Sequence, residues 1–352
     1  MAPPKKDEEP RYIWLKKELT KIIIEEKLVA HDIFLSQPNI IKTFKVTITT
    51  ARKALDDMEK EGLIYRIHGK GTYVAPKSQT HSILIVSNYN AQIRERHFAY
   101  MRFMAGIMDY LDEEDHHYYP CSINSEKFLE KLEHLELYYR DIKGVIFFRD
   151  MKGYSQGKKI LEEKGIPFYF YGSDTYCDEV DSPSIMHEEK QVVLTGIEKI
   201  LEKKYQAMGI YFNDNNPVRK KRYDDFLAIL QEKSLPLLKE NLLSQKDFPR
   251  DELIKKLSGI KERTAFFCVD DWLGTELVNC AVLAGKKVPE EIGIIGVNDF
   301  PFCSLLITPL SSISIPLFED ARICFENMIR MIEGEKELEG KNEIKVVERA
   351  SL

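Results

Sequence analysis

The sequence has no run approaching the ~18 consecutive apolar residues of a membrane span. Met1-Ala-Pro-Pro-Lys-Lys also lacks the hydrophobic stretch of a signal peptide, so a cytoplasmic chain is expected. The six cysteines, Cys121, Cys177, Cys268, Cys280, Cys303 and Cys324, contain no CxxC pair and suggest neither a zinc site nor a disulfide framework. His116-His117 stand without a nearby third ligand, and no metal is expected there. GxSxG, P-loop and HExxH patterns are missing, as is a GxGxxG following a strand. No catalytic residue and no cofactor are therefore assigned.

What is present is a chain of 352 residues, 43% hydrophobic and 31% charged, which suits two or three compact globular units. The net charge of −6 is unevenly spread. Residues 1–80 hold 15 Lys and Arg against 11 Asp and Glu, leaving 36 against 46 for the rest. A basic head on an acidic body suits a DNA reader fused to a small-molecule sensor, because phosphate contacts supply much of the affinity for a duplex.

The head is most legible in ARKALDDMEKEGLIYRIHGKGTYV, residues 51–74. Leu55, Met58 and Leu63 give a helical spacing that stops at Gly62, and strands Leu63-Tyr65 and Thr72-Val74 flank a basic, glycine-bounded tip. This pattern predicts a helix with a wing. Upstream, Ser36 to Phe44 reads as a short capped helix, and Thr47-Ile48-Thr49-Thr50 opens the next with hydroxyls. A helix start of that kind can enter a major groove. Tyr12 to Lys27 predicts the first helix, and Ala75-Pro76-Lys77-Ser78-Gln79-Thr80 reads as a polar linker.

From about Tyr12 to Val74 the chain resembles the GntR family of bacterial winged helix-turn-helix regulators, the combined RKAL, EKEGLI and GKGTYV spacing carrying the likeness. The resemblance implies DNA contacts from Thr47, Thr49, Thr50, Arg52 and Lys53 on the recognition helix and from Arg66, His68, Gly69 and Lys70 on the wing. Two positions depart from the family pattern. Pro38 and Ile48 stand where arginines are usual, at the start of the second helix and early in the recognition helix.

Beyond the linker, apolar runs alternate with helical stretches. His81-Ser87, Gly144-Phe148, Pro167-Tyr171, Ala207-Phe212, Ala265-Val269 and Ile292-Val297 read as buried strands, and His97 to Asp112 as a helix. Such alternation predicts parallel sheets covered on both faces, here two Rossmann-like lobes. Ligands bind beyond the carboxyl ends of such strands, where this chain places Asn88, Tyr89, Arg149, Asp271, Trp272, Asn298 and Phe300. Amides and acids there can bond vicinal hydroxyls while an aromatic face covers a sugar ring, so a monosaccharide is the natural guess. Asn and Asp after strands also form ordinary turns.

The block KKVPEEIGIIGVNDF, residues 286–300, with TPLSSI, residues 308–313, and CVDD, residues 268–271, is similar to the effector domain of the LacI family, related to periplasmic sugar-binding proteins. That likeness implies an effector arginine at Arg222, a strand-end acid at Asp271 and an inter-lobe polar residue at Asn298. Trp272 and Phe300 become candidate stacking walls. Asp225 stands where the family pattern has glycine. A GntR-type head on a LacI-type body is an architecture of bacterial sugar regulators, arabinose-responsive repressors included.

The expected organisation is an α/β protein with a winged helix-turn-helix domain over 1–74, a linker over 75–81 and a two-lobed effector and dimerisation domain over 82–352. Its expected partners are operator DNA, a small sugar and a second copy of itself, with repression relieved by the sugar. Two other readings stay open at this point. Pro38 and Ile48 would suit a head that no longer binds DNA, and the adjacent acids Asp270-Asp271 superficially invite a sugar-modifying enzyme.

Overall fold

The computed structural model describes residues 10–67, 69–75, 81–88, 94–113, 118–137, 141–149, 151–176, 180–236, 239–335, 338 and 340–352. His68, Tyr89, Cys177, the His116-His117 pair and most of the expected linker lie outside them. The chain divides into two compact units. One contains Met1–Ser82 with His116–Tyr119 and Lys131–Ile142, and the other contains the remainder.

The head comprises α1 (Arg11–Glu25), β1 (Ile33–Phe34), α2 (Gln37–Phe44), α3 (Ile48–Lys60), β2 (Ile64–Ile67) and β3 (Gly71–Val74). The Ser36 side chain caps α2, and Pro38 in its first turn removes an N–H that has no intrahelical acceptor anyway. Lys45 then ends α2 in the left-handed region at φ 51°. Ala51, Ala54, Leu55 and Met58 fall on one face of α3 and join Leu15, Leu19, Ile40, Ile64 and Val74 in a single buried cluster. Strands order as β1-β3-β2, all antiparallel, so the wing is pinned to the head by a third short strand that the sequence reading did not foresee.

The elements after the head form two sheets, each the centre of a lobe. The first contains β4 (His81–Ser87), α4 (Arg94–Glu113), β5 (Tyr118–Asn124), α5 (Ser125–Lys131), β6 (Ile142–Phe148), α6 (Met151–Lys164), β7 (Phe168–Ser173) and β8 (Ser184–His187). Its sheet orders as β5-β4-β6-β7-β8. The second lobe contains α7 (Glu189–Glu202), β9 (Ala207–Phe212), α8 (Pro217–Glu232), β10 (Leu242–Ser244), α9 (Arg250–Ser258), β11 (Thr264–Cys268), α10 (Asp271–Leu283), β12 (Ile292–Val297) and β13 (Ser311–Ser314). After α11 (Leu317–Ile332), the final strand β14 (Lys345–Val347) closes an order of β10-β9-β11-β12-β13-β14, parallel except at that last strand.

The predicted strands are present with small shifts at their ends, and the helix expected from His97 begins at Arg94. Helix α11 lies outside the elements the sequence predicts. It leaves the second sheet and packs on α4, β7 and β8 of the first lobe, which makes the lobes share chain rather than follow one another. The approach is closest at Gly106 of α4, where a Cβ would lie 2.1 Å from the Phe318 carbonyl oxygen. Backbone cannot yield as a side-chain tip can, so Gly106→Ala should destabilise the body by about 1–3 kcal/mol. An unchanged urea midpoint would mean that α4 and α11 separate there without cost.

Candidate functional site

Two regions carry the residues singled out by sequence. On the head, Thr47 caps α3: its Oγ1 accepts the Thr50 N–H at 3.2 Å and lies 3.0 Å from Thr49 Oγ1 and 2.9 Å from Thr50 Oγ1. The three hydroxyls thus form one local network that holds the first turn of the helix. Arg52 and Lys53 are exposed one turn later, with the Lys53 ammonium 3.6 Å from the Tyr12 ring centroid. Gly69 (φ +74°) and Lys70 are exposed at the wing tip, and Tyr65 and Tyr73 stack behind it at 5.4 Å.

Arg66 is differently placed from a free phosphate contact. Its Nε donates to Glu59 at 2.9 Å, its Nη2 donates to Asp56 at 2.6 Å and also pairs with Glu59, and its backbone N–H donates to Glu59 at 3.0 Å. Those bonds hold the Glu59 carboxyl below its ordinary range. The guanidinium ties the wing to the recognition helix. Among the sequence-predicted contacts it is a positioning group.

In the body, the carboxyl ends of the strands gather the second set. Arg149 follows β6 with φ +52°, and Asn298 and Asp299 follow β12 with φ +106° and +50°. Left-handed backbone at non-glycine residues is strained, and it clusters at ligand-binding turns. Asp299 is held by Arg349 at 2.6 Å, its N–H donates to Ser312 Oγ at 3.0 Å, and its carbonyl accepts Arg102 Nη1 from α4 at 3.1 Å. The last of these bonds joins the two lobes.

Arg222 lies in Arg219-Lys220-Lys221-Arg222, which as sequence resembles a solvated charge run. Helical spacing separates its members. Lys220 points outward to Asp224, while Arg219 and Arg222, three apart, turn inward and are buried. The Arg222 Nε donates to Glu189 at 2.6 Å and its Nη1 donates to the Val269 carbonyl at 2.8 Å, with both side chains 2% exposed. Arg219 pairs with Asp270 and donates to Asn213 and Asn215 at 2.9 Å each. Glu189, which the sequence reading missed, is the counter-charge that lets Arg222 be buried.

The adjacent acids take unrelated roles. Asp270 caps α10 by accepting the Leu273 N–H at 3.0 Å. Asp271 is fully buried, accepting Ser312 Oγ at 2.6 Å and the Phe300 N–H at 2.9 Å, so both its oxygens organise the loop after β12. Burial pushes its carboxyl up to about 7 against the lowering effect of those bonds. The two acids therefore do not form a shared acid–base pair. Asp225, at the position where glycine was expected, is accommodated by Lys221 at 2.6 Å.

Trp272 and Phe300 belong to one aromatic cluster with Phe98 of α4 and with Phe302, their ring centroids 4.7 to 5.8 Å apart. Phe98 comes from the first lobe and the other three from the second. Several polar atoms are buried yet have no hydrogen-bond partner among the described residues: Ser87 Oγ, Arg149 Nε, Ser173 Oγ and His187 Nδ1 at the ends of β4, β6, β7 and β8, Thr175 Oγ1, Arg102 Nε on α4, and Trp272 Nε1 and Thr275 Oγ1 on α10. Unsatisfied buried polar atoms are rare and costly, and their concentration at strand ends is what a hydroxyl-rich ligand would satisfy. Asn88, next to Ser87, is exposed. A cavity of about 550 Å³ lined by Glu240, Asn241, Lys255 and Thr264 opens at the amino ends of β10 and β11, the opposite end of the sheet from this cluster.

A winged helix-turn-helix head joined to a two-lobed body of largely parallel sheets defines the class of a two-part transcription regulator. Residues 14–74 match the family described as bacterial regulatory proteins, gntR family, and residues 197–352 match the periplasmic binding protein-like domain. The chain carries a GntR helix-turn-helix segment followed by a periplasmic binding protein-like domain. It is 25% identical over 338 residues to an arabinose metabolism transcriptional repressor of Geobacillus stearothermophilus, covering 92% of each chain. The Escherichia coli transcriptional repressor ascG superposes with a TM-score of 0.61 at 15% identity, over 78% of this chain and 99% of that one. A LacI family regulator from Enterococcus faecium with bound ribose gives 0.57 at 20% identity, over 77% and 98%. No helix among the described residues is long and apolar enough to cross a membrane.

Proposed function

We propose that this chain is a cytoplasmic transcriptional repressor whose head binds operator DNA and whose body binds a small neutral sugar between its lobes, releasing the operator. The observation that carries the effector reading is the set of orphaned polar atoms at the strand ends, together with an aromatic cluster drawn from both lobes that shares Trp272 with that set. Hydroxyls would satisfy those atoms and a ring face would cover the aromatics. Arg219, Arg222 and Arg349 are each paired with a carboxylate, so Arg149 is the cation this reading leaves for the ligand, a single charge that suits a hydroxyl-rich sugar better than a doubly charged phosphate. The named relative makes arabinose the first pentose to try, with ribose second.

Of the candidate residues, Arg149 and Trp272, whose buried Nε and Nε1 lack partners among the described residues, and the exposed Asn88 are the ones this reading assigns to the sugar. Arg222, Asp271, Asn298 and Phe300 shape the loops around it. A homodimer suits the exposed apolar side chains Met101 and Met108 on α4, Val282 and Leu283 ending α10, and Leu305 and Ile307 beyond it. Closing the lobes would then change the spacing of two heads on a palindrome.

The test is duplex binding by the full chain to fragments flanking its own gene, measured across salt concentrations with and without arabinose or ribose. Saturating sugar should shift the affinity by about 5–150-fold, and Lys70→Ala should reduce the salt slope by about one phosphate contact. Salt-dependent binding that no sugar alters would sink the effector reading. An absence of salt-dependent binding would sink the DNA reading.

A further inference from the structure

Ile48 is the first residue of α3 and is 64% exposed, the one large apolar side chain that this helix leaves to solvent. Every other exposed residue of α3 is polar: Thr49, Arg52, Lys53 and Lys60. A lone exposed isoleucine on a surface needs no explanation in general. This one stands at the leading edge of the helix that the fold offers to a major groove, and its i+4 neighbour on the same face is the exposed Arg52. The exposed basic side chain one turn behind it is of the kind that meets phosphate. Ile48 therefore adds an apolar side chain to an edge whose other exposed members are threonines.

The neighbouring threonines strengthen this reading. Their hydroxyls are bonded to one another through Thr47 Oγ1, so the first turn has few side-chain donors left for base edges. The major groove offers one apolar feature to such a surface, the thymine 5-methyl group. Resting on the proposal that the head binds DNA, we propose that Ile48 reads the 5-methyl of a thymine at one position of each operator half-site. The departure from arginine at this position then exchanges one base preference for another. An arginine there could bond a guanine in bidentate fashion, and isoleucine cannot.

The experiment begins with duplexes recovered from a randomised pool by the full-length protein. In the recovered duplex, each thymine is replaced in turn by deoxyuridine, which removes only the methyl. One replacement per half-site should weaken wild-type binding about fourfold, the worth of one buried methyl. The same replacement should leave Ile48→Ala unaffected, and the salt slope should not change because an apolar contact releases no counterion. Ile48→Arg, selected against the same pool, should shift the preference at that position from thymine towards guanine. A flat deoxyuridine scan, or unchanged base preferences in both variants, would overturn the assignment while leaving DNA binding intact. Recovery of no duplex at all would overturn it together with the DNA-binding reading.

Discussion

Arg222→Met is expected to cost the body about 3–5 kcal/mol, the effect of breaking a buried ion pair and stranding one charge. Glu189 is 2% exposed, and its carboxylate would lose the guanidinium now 2.6 Å away. Its backbone N–H, held by Asp174 Oδ1 at 3.0 Å, prevents α7 from swinging the carboxylate out to water without breaking a second bond. The double replacement Arg222→Met with Glu189→Leu should recover most of the loss, because apolar side chains of similar volume can take the place of a buried pair at little cost. The measurement is urea unfolding followed by Trp272 fluorescence in a Trp14→Phe background, since these are the chain's two tryptophans and Trp14 lies in the head. A single variant as stable as the parent would show that Glu189 finds water or another cation. A double variant no better than the single would show that Arg222 acts through the Val269 carbonyl instead.

Asp271→Asn should change the pH dependence of stability and raise stability above neutral pH. Burial moves the Asp271 carboxyl from 3.8 up to about 7. Between those values the folded chain holds a proton that the unfolded chain has released, so stability falls as pH rises through this window. The loss is complete above about 7 and is of order 4 kcal/mol. Asparagine is neutral throughout, and its amide can still accept the Phe300 N–H and bond Ser312. The difference between wild-type and variant unfolding free energies should therefore grow from pH 4 to pH 7 and level off at pH 8 in favour of the variant. A variant that is less stable at pH 8, with no difference in slope below it, would mean that Ser312 and Phe300 hold an ionised carboxylate at no net cost.

Neither residue's role is written in its local sequence. Arg222 sits in a basic run that looks solvated, because linear sequence does not display which members of a helix turn inward or what meets them. Its partner Glu189 is thirty-three positions away on another helix. Asp271 was legible as a strand-end acid. That both its oxygens are engaged by Ser312 and Phe300, from two other segments, was not. Phe98, Phe302 and Arg102 left no local signal, since an aromatic or arginine on an apolar helix face reads as packing until the opposite lobe is in place.

The sequence by itself determined the head and the class of the body. Hydroxyl caps at Ser36 and Thr47, the helical spacing from Ala51 to Met58 and the glycine-bounded wing tip act within a few residues, and local backbone preference with short-range periodicity settles them. The buried strands before each candidate loop are visible for the same reason: an apolar run between turns has one economical place in a covered parallel sheet. Tertiary structure decided what those loops present. Short strands such as β8, β10 and β14 take their identity from the neighbour they pair with, and α11 is assigned to the first lobe only by packing on α4 across more than two hundred residues of chain. Which polar atoms are satisfied and which are left open depends likewise on partners far apart in sequence. The arginine clamp on Glu189, the closed carboxylate of Asp271 and the open edge at Ile48 are consequences of burial, and burial is a property of the assembled fold.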